Sequence, residues 1–112
     1  TLGELSRETL VLREPGSATR RITDQELARL KIEPPFVLNV EGREASREAV
    51  AAGLGVGIVS QPEFGHDQRL TSIGLSDCKA VMSESIVCLK ERAGMRIIEA
   101  FLNVARTHLL SP

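Results

Sequence analysis

The spacing of apolar positions along the chain changes repeatedly, and each change marks an element. Phe36, Val37, Leu38 and Val40 form an apolar run behind Pro34-Pro35, a pair that cannot continue a helix, and so predict a mostly buried strand. From Arg43 to Leu54 the spacing becomes helical: Ala45, Ala49, Val50 and Ala52 alternate with Arg43, Glu44, Arg47 and Glu48. Ile58 and Val59 then predict a short buried strand, ended by Ser60-Gln61-Pro62. Upstream, Leu2 and Leu5 suit one helical turn and residues 9–12 a strand, closed by a turn at Pro15-Gly16. Ser17 can cap a helix running toward Leu30, while Thr23 followed by Glu26 leaves open one helix or two. Downstream, residues 70–75 alternate as a short strand and residues 81–89, VMSESIVCL, as a longer one buried on both faces. Ile97, Ile98, Phe101, Leu102, Val104, Ala105 and Leu109 recur at three and four in a final helix, apolar over more than half its circumference.

The predicted order β-α-β-α-β-β-β-α implies an α/β domain with a mostly parallel sheet flanked by helices. Ligands in such sheets collect where strand C-termini meet helix N-termini. Three places answer that description: residues 13–19, 41–45 and 60–63.

The glycines Gly53, Gly55 and Gly57 invite a nucleotide-loop reading, but a dinucleotide fingerprint runs strand, glycines, helix. Here the glycines follow a helix. Gly53 or Gly55 is therefore expected to end it in the left-handed conformation, and Gly57 to lie where the following strand packs closely against another backbone.

Composition removes several function classes. At 112 residues the chain suits one small domain, and a net charge of −1 from 14 basic and 15 acidic residues gives no bulk attraction to nucleic acid or membrane. With no Trp or Tyr and only Phe36, Phe64 and Phe101, a base-stacking platform is disfavoured. No apolar run reaches the length of a membrane span, and no basic-then-apolar leader is seen at the N-terminus. Cys78 and Cys88 are expected to be reduced, partly buried thiols of a cytoplasmic protein. The chain begins at Thr1 without methionine, as a fragment of a longer protein would.

Candidate chemistry centres on anion recognition. Ser17 and Thr19 lie in the first turn of one helix and residues 42–45 open another, so free backbone N–H groups with hydroxyls, and Arg13, Arg20 or Arg43 nearby, could bind a carboxylate or phosphonate. The competing reading is that Ser17 only caps its helix and the arginines are solvated. His66 beside Asp67 is the one acid–base pair on offer for a small enzyme, but neighbours in sequence tend to point apart. His108 suits a helix C-terminus as a dipole partner, and the His and Cys positions lack the close paired spacing of a zinc site. No cofactor or metal is expected.

REPGSATR at 13–20, SREAVAAGLGVGIVS at 46–60 and IIEAFLNVAR at 97–106 together resemble the effector-binding domain of LysR-type transcriptional regulators, over nearly the whole chain. The resemblance implies a periplasmic-binding-protein-like fold of two subdomains with a small effector between them. It aligns residues 1–93 with the second subdomain and 94–112 with a C-terminal helix returning to the first. The early strands of the first subdomain and the DNA-binding helix-turn-helix have no counterpart here. Arg13, Ser17, Thr19, Gly42, Arg43, Glu44 and Gln61 are then the expected effector-binding residues. The expected partners are a small, anionic metabolite, DNA through the absent N-terminal domain, and a second copy of the chain, with dimerisation or exchange of the last helix. A solute-binding domain of a transport system is the alternative with the same architecture.

Overall fold

In the computed structural model, which describes residues 1–109, the chain divides into two compact units, Thr1–Met82 and Ser83–Pro112. The first unit contains α1 (Leu2–Leu5), β1 (Thr9–Arg13), α2 (Ala18–Arg29), β2 (Phe36–Val40), α3 (Arg43–Ala51), β3 (Val56–Gly57) and α4 (Gln61–Phe64). The second contains a 3₁₀ turn at Lys90–Arg92 and α5 (Arg96–Leu109).

The three strands form one parallel sheet in the order β2-β1-β3, with Leu10 beside Val37 on one side and Val56 on the other. Because β1 lies between strands that follow it, the two right-handed crossovers leave in opposite directions and put α2 and α3 on opposite faces. Strand alternation serves both faces. Leu10 and Leu12 join Leu2 and Leu27 in the main core cluster, against which Leu5, Leu30, Val56 and Ile58 pack, while Val11, also fully buried, turns the other way. The parallel sheet flanked by helices is thus the α/β architecture expected.

The local signals of the sequence account for most element ends. Thr1 and Glu4 close a capping box on α1. Ser17 caps α2, whose middle residue Thr23 starts no second helix, because its hydroxyl donates to the Thr19 carbonyl and the helix runs on unbroken. Helix α3 ends at Ala51 in a Schellman motif: Gly53 at φ 78° donates to the Val50 carbonyl and Leu54 to that of Ala49. Of the two glycines considered, Gly53 is therefore the left-handed one. The close backbone approach expected at Gly57 falls instead at Gly55, where a Cβ would lie 2.3 Å from the Thr9 carbonyl oxygen; at Gly57 the near atom is a side-chain one, Val50 Cγ2 at 2.9 Å, and the nearest backbone atom is the Val11 oxygen at 4.0 Å.

Several expectations are corrected. Strand β2 is an edge of the sheet, so Phe36, at 69% exposure, and Val37 are not buried. Strand β3 is Val56–Gly57, just before the predicted Ile58 and Val59, and Val59 is exposed. The predicted turn at 60–62 opens helix α4. Residues 70–75 and 81–89 form no strand, since a strand needs a hydrogen-bonded neighbour and none is present among the described residues; Ile73, Val81 and Val87 are accordingly exposed. Cys78 is half-buried as expected but Cys88 is exposed, and both are free thiols. On α5 the apolar stripe is present, with Ile97, Phe101 and Val104 exposed; the side chain of Leu109 lies outside the described residues.

Candidate functional site

Parallel strands carry all their C-termini to one edge, and each strand here delivers its chain directly into a helix. Arg13 ends β1 four residues before the Ser17 cap, Val40 ends β2 two residues before Gly42, the N-cap of α3, and Gly57 ends β3 three residues before Ser60, the N-cap of α4. The neighbouring strands β1 and β3 leave to different sides, which makes the space between their ends the switch point of the sheet.

A groove of ≈ 1360 Å³ runs through this unit, and Arg13, Thr19, Arg43 and Gln61 line it. Those four predicted residues, from three separate loops, are brought together. Ser17, Gly42 and Glu44 do not line it. Ser17 is buried and its hydroxyl accepts the Arg20 N–H at 3.3 Å, the capping role; Glu44 is exposed in the first turn of α3.

Internal carboxylates already engage the cationic groups of the site. Glu14 accepts from Arg13 Nη2 at 2.6 Å and Nε at 3.3 Å, and its second oxygen also accepts the Gly42 N–H at 3.0 Å. It thereby ties the end of β1 to the start of α3. The Arg13 guanidinium, followed by the Gly42 N–H, holds the Glu14 carboxyl down to about 2, and Glu14 in turn raises Arg13. Arg43 pairs with Glu63 of α4. Arg20 bonds Asp24, the Arg13 carbonyl and Asn39, bracing the ends of β1 and β2 against α2. An anionic ligand at Arg13, Gly42 or Arg43 has to compete with these partners.

Among the groove residues that the sequence did not single out are Ser46 and Arg47, and Arg47 donates to the main-chain oxygen of Glu63 at 3.5 Å. Their signal was spacing: they stand three and four positions after Arg43, on the same face of α3. Ser60, within the turn already singled out, also lines the groove, and its Oγ is buried without a hydrogen-bond partner.

The acid–base pair does not assemble. Asp67 accepts from the backbone and the guanidinium of Arg69, which also bridges to Glu48, and Arg69 holds the Asp67 carboxyl at about 2; His66 beside it is exposed. His108 contacts the Val104 carbonyl at 2.9 Å in the last turn of α5.

The strand ends of a parallel α/β sheet thus open onto one groove, and the family follows from comparison. The LysR substrate binding domain family matches residues 1–110. The chain belongs to that family. Among curated relatives, the HTH-type transcriptional regulator CfxR of Cupriavidus necator is 32% identical over 99 residues, covering 88% of this chain and 31% of that protein. The HTH-type transcriptional regulator CbbR of Rhodospirillum rubrum is 33% identical over 61 residues, 54% of this chain and 20% of that protein. The uncharacterized HTH-type transcriptional regulator YybE of Bacillus subtilis is 30% identical over 112 residues, 96% of this chain and 37% of that protein. The LysR-type chain thus spans between 20% and 37% of the length of these relatives. No solved structure matches it. No helix among its described residues is long and apolar enough to cross a membrane.

Proposed function

We propose that this LysR substrate binding domain is the sensing module of a cytoplasmic transcriptional regulator, taking a small anionic metabolite into the groove at its strand ends. The observation that carries the reading is the convergence of Arg13, Thr19, Arg43 and Gln61, from three loops, on one groove in a chain of this family. Ser17 and Gly42 act behind them as the N-caps of α2 and α3. Ligand binding there biases the conformation of the full-length protein and so its DNA contacts, and no bond is made or broken. The names of the relatives, all HTH-type transcriptional regulators, favour this over a transport role.

The test is a thermal-shift screen of small carboxylic and phosphonic acids on the full-length protein. A true effector at a hundred times its Kd stabilises the folded state by about 2.7 kcal/mol. Thr19→Ala and Arg43→Ala should weaken the shift. An acid whose stabilisation survives both substitutions, or a screen in which none stabilises, refutes the assignment.

Homo-oligomerisation through α5 belongs to the same proposal, supported by the exposed Ile97, Phe101 and Val104. Sedimentation should show an oligomer that Phe101→Ser weakens, and a monomer at high concentration would refute it.

A further inference from the structure

Three arginines act on one residue of α4. The Glu63 carboxylate pairs with Arg43, and the Glu63 main-chain oxygen accepts from Arg47 Nη2 at 3.5 Å. Arg13, raised first by Glu14, is raised also by Glu63. All four residues line the groove, and only 13% of the Glu63 side chain is exposed. The convergence has a local cause. Arg43 and Arg47 stand one turn apart on α3 and so share a face, and the chain turn at Ser60 delivers Glu63 to that face.

The bonds of the three cations divide them. Arg13 gives two N–H groups to Glu14, at 2.6 and 3.3 Å. Arg43 has the Glu63 carboxylate. Arg47 enters no ion pair among the described residues, and the Glu63 main-chain oxygen that it reaches is neutral and distant for a hydrogen bond. Glu48 and Asp67 are lowered first by Arg69, which bonds them at 2.7 and 2.8 Å, and to a smaller extent by Arg47. The planar fork of Arg47 therefore keeps donors for the two oxygens of a carboxylate.

Glu63 limits what can join it. A ligand carboxylate on Arg47 rests within a side chain's length of the Glu63 carboxylate, because Arg47 already reaches the main chain of that residue. Arg43 holds the Glu63 carboxylate on itself and so keeps it off Arg47. A second negative group on the ligand would face Glu63 with Arg13 and Arg43 both taken. Like charges at that range in a half-buried groove repel with little screening from salt.

We propose that the ligand is a monocarboxylate: Arg47 takes its charge, and Glu63, steadied by Arg43, turns away dicarboxylates and phosphonates. The proposal rests on the groove being the ligand site and narrows the anion that the site receives.

Thermal shift of the full-length protein with acids of matched chain length tests it. The probes are propionate, butyrate and valerate, set against malonate, succinate and glutarate and against the corresponding alkylphosphonates. At least one monocarboxylate should stabilise the unsubstituted protein more than its dianionic counterparts do. Arg47→Gln should abolish that shift and Arg47→Lys keep part of it. Glu63→Gln, which leaves Arg43 free, should let the dicarboxylate of the same length stabilise. Each comparison is made within one variant, so any general loss of stability from the substitution cancels. A dicarboxylate or phosphonate that stabilises the unsubstituted protein as well as its monocarboxylate does overturns the proposal, as does a monocarboxylate shift that survives Arg47→Gln. In both cases the ligand-site reading stands where Thr19→Ala still weakens the shift. No stabilisation by any of the acids overturns both.

Discussion

Replacing Gly55 with alanine asks whether β3 is held against β1 by contact too close for a side chain. The new Cβ would stand 2.3 Å from the Thr9 carbonyl oxygen, about 1 Å short of ordinary contact at 3.4 Å, with the Thr9 carbonyl carbon and Cβ each at 3.1 Å. A backbone oxygen cannot rotate away as a side-chain tip can. Relief therefore moves β3 away from β1, where only Leu10–Val56 and Val11–Gly57 are in register. Overpacking of this kind costs about 1–3 kcal/mol, and each weakened ladder hydrogen bond about 1 kcal/mol more, so a loss of roughly 3 kcal/mol is expected. Gly53→Ala is the internal control. Its φ of 78° is strained for alanine, but nothing lies within 4 Å of the new Cβ, so the cost is about 1 kcal/mol. Urea unfolding followed by circular dichroism measures both, with unchanged m-values securing the comparison. The reasoning is refuted if Gly55→Ala lies within about 0.5 kcal/mol of the unsubstituted chain, or if the order of the two variants is reversed.

Three further outcomes follow from single observations. Lys31 holds φ 55° at the end of α2, where its N–H bonds the Ala28 carbonyl and that of Ile32 bonds Leu27, so Lys31→Gly should stabilise by about 1 kcal/mol in urea unfolding. Ser17→Ala should cost about 1 kcal/mol because its hydroxyl caps α2, whereas Ser60→Ala should cost nothing and gain up to about 1 kcal/mol, its buried Oγ having no partner to lose. Glu14 and Glu26 are each held down to about 2 in the folded chain, first by Arg13 and Arg29 respectively. The stability they add is complete above the ordinary carboxylate value near 4.5 and is lost as pH falls from there toward 2. The urea midpoint should therefore drop across that interval, and less steeply in Glu26→Gln.

Much of the fold was legible because its signals are local. Pro15-Gly16, the Ser17 cap, the helical spacing of 43–52 and the glycines after it act within a few residues, and they correctly ordered β1, α2, β2, α3 and β3. Chain order alone turned Gly53, Gly55 and Gly57 away from a phosphate loop, and the motifs at 13–20, 46–60 and 97–106 pointed to the family. Tertiary structure decided what depends on a neighbour. Phe36 and Val37 read as buried, but β2 became an edge strand on which they stay exposed while Leu38 and Val40 are half-buried. Residues 70–75 and 81–89 had the pattern of strands and no partner strand to make them so, since alternation gives a segment two faces without supplying the chain that bonds its backbone. The site divides the same way. That three strand ends would gather at one edge follows from parallel alternation, which was visible in the sequence. That Glu14 would turn back to take both Arg13 and the Gly42 N–H, and that Ser46 and Arg47 would share the groove with Thr19, required distances between residues far apart in the chain, and only the folded molecule has those.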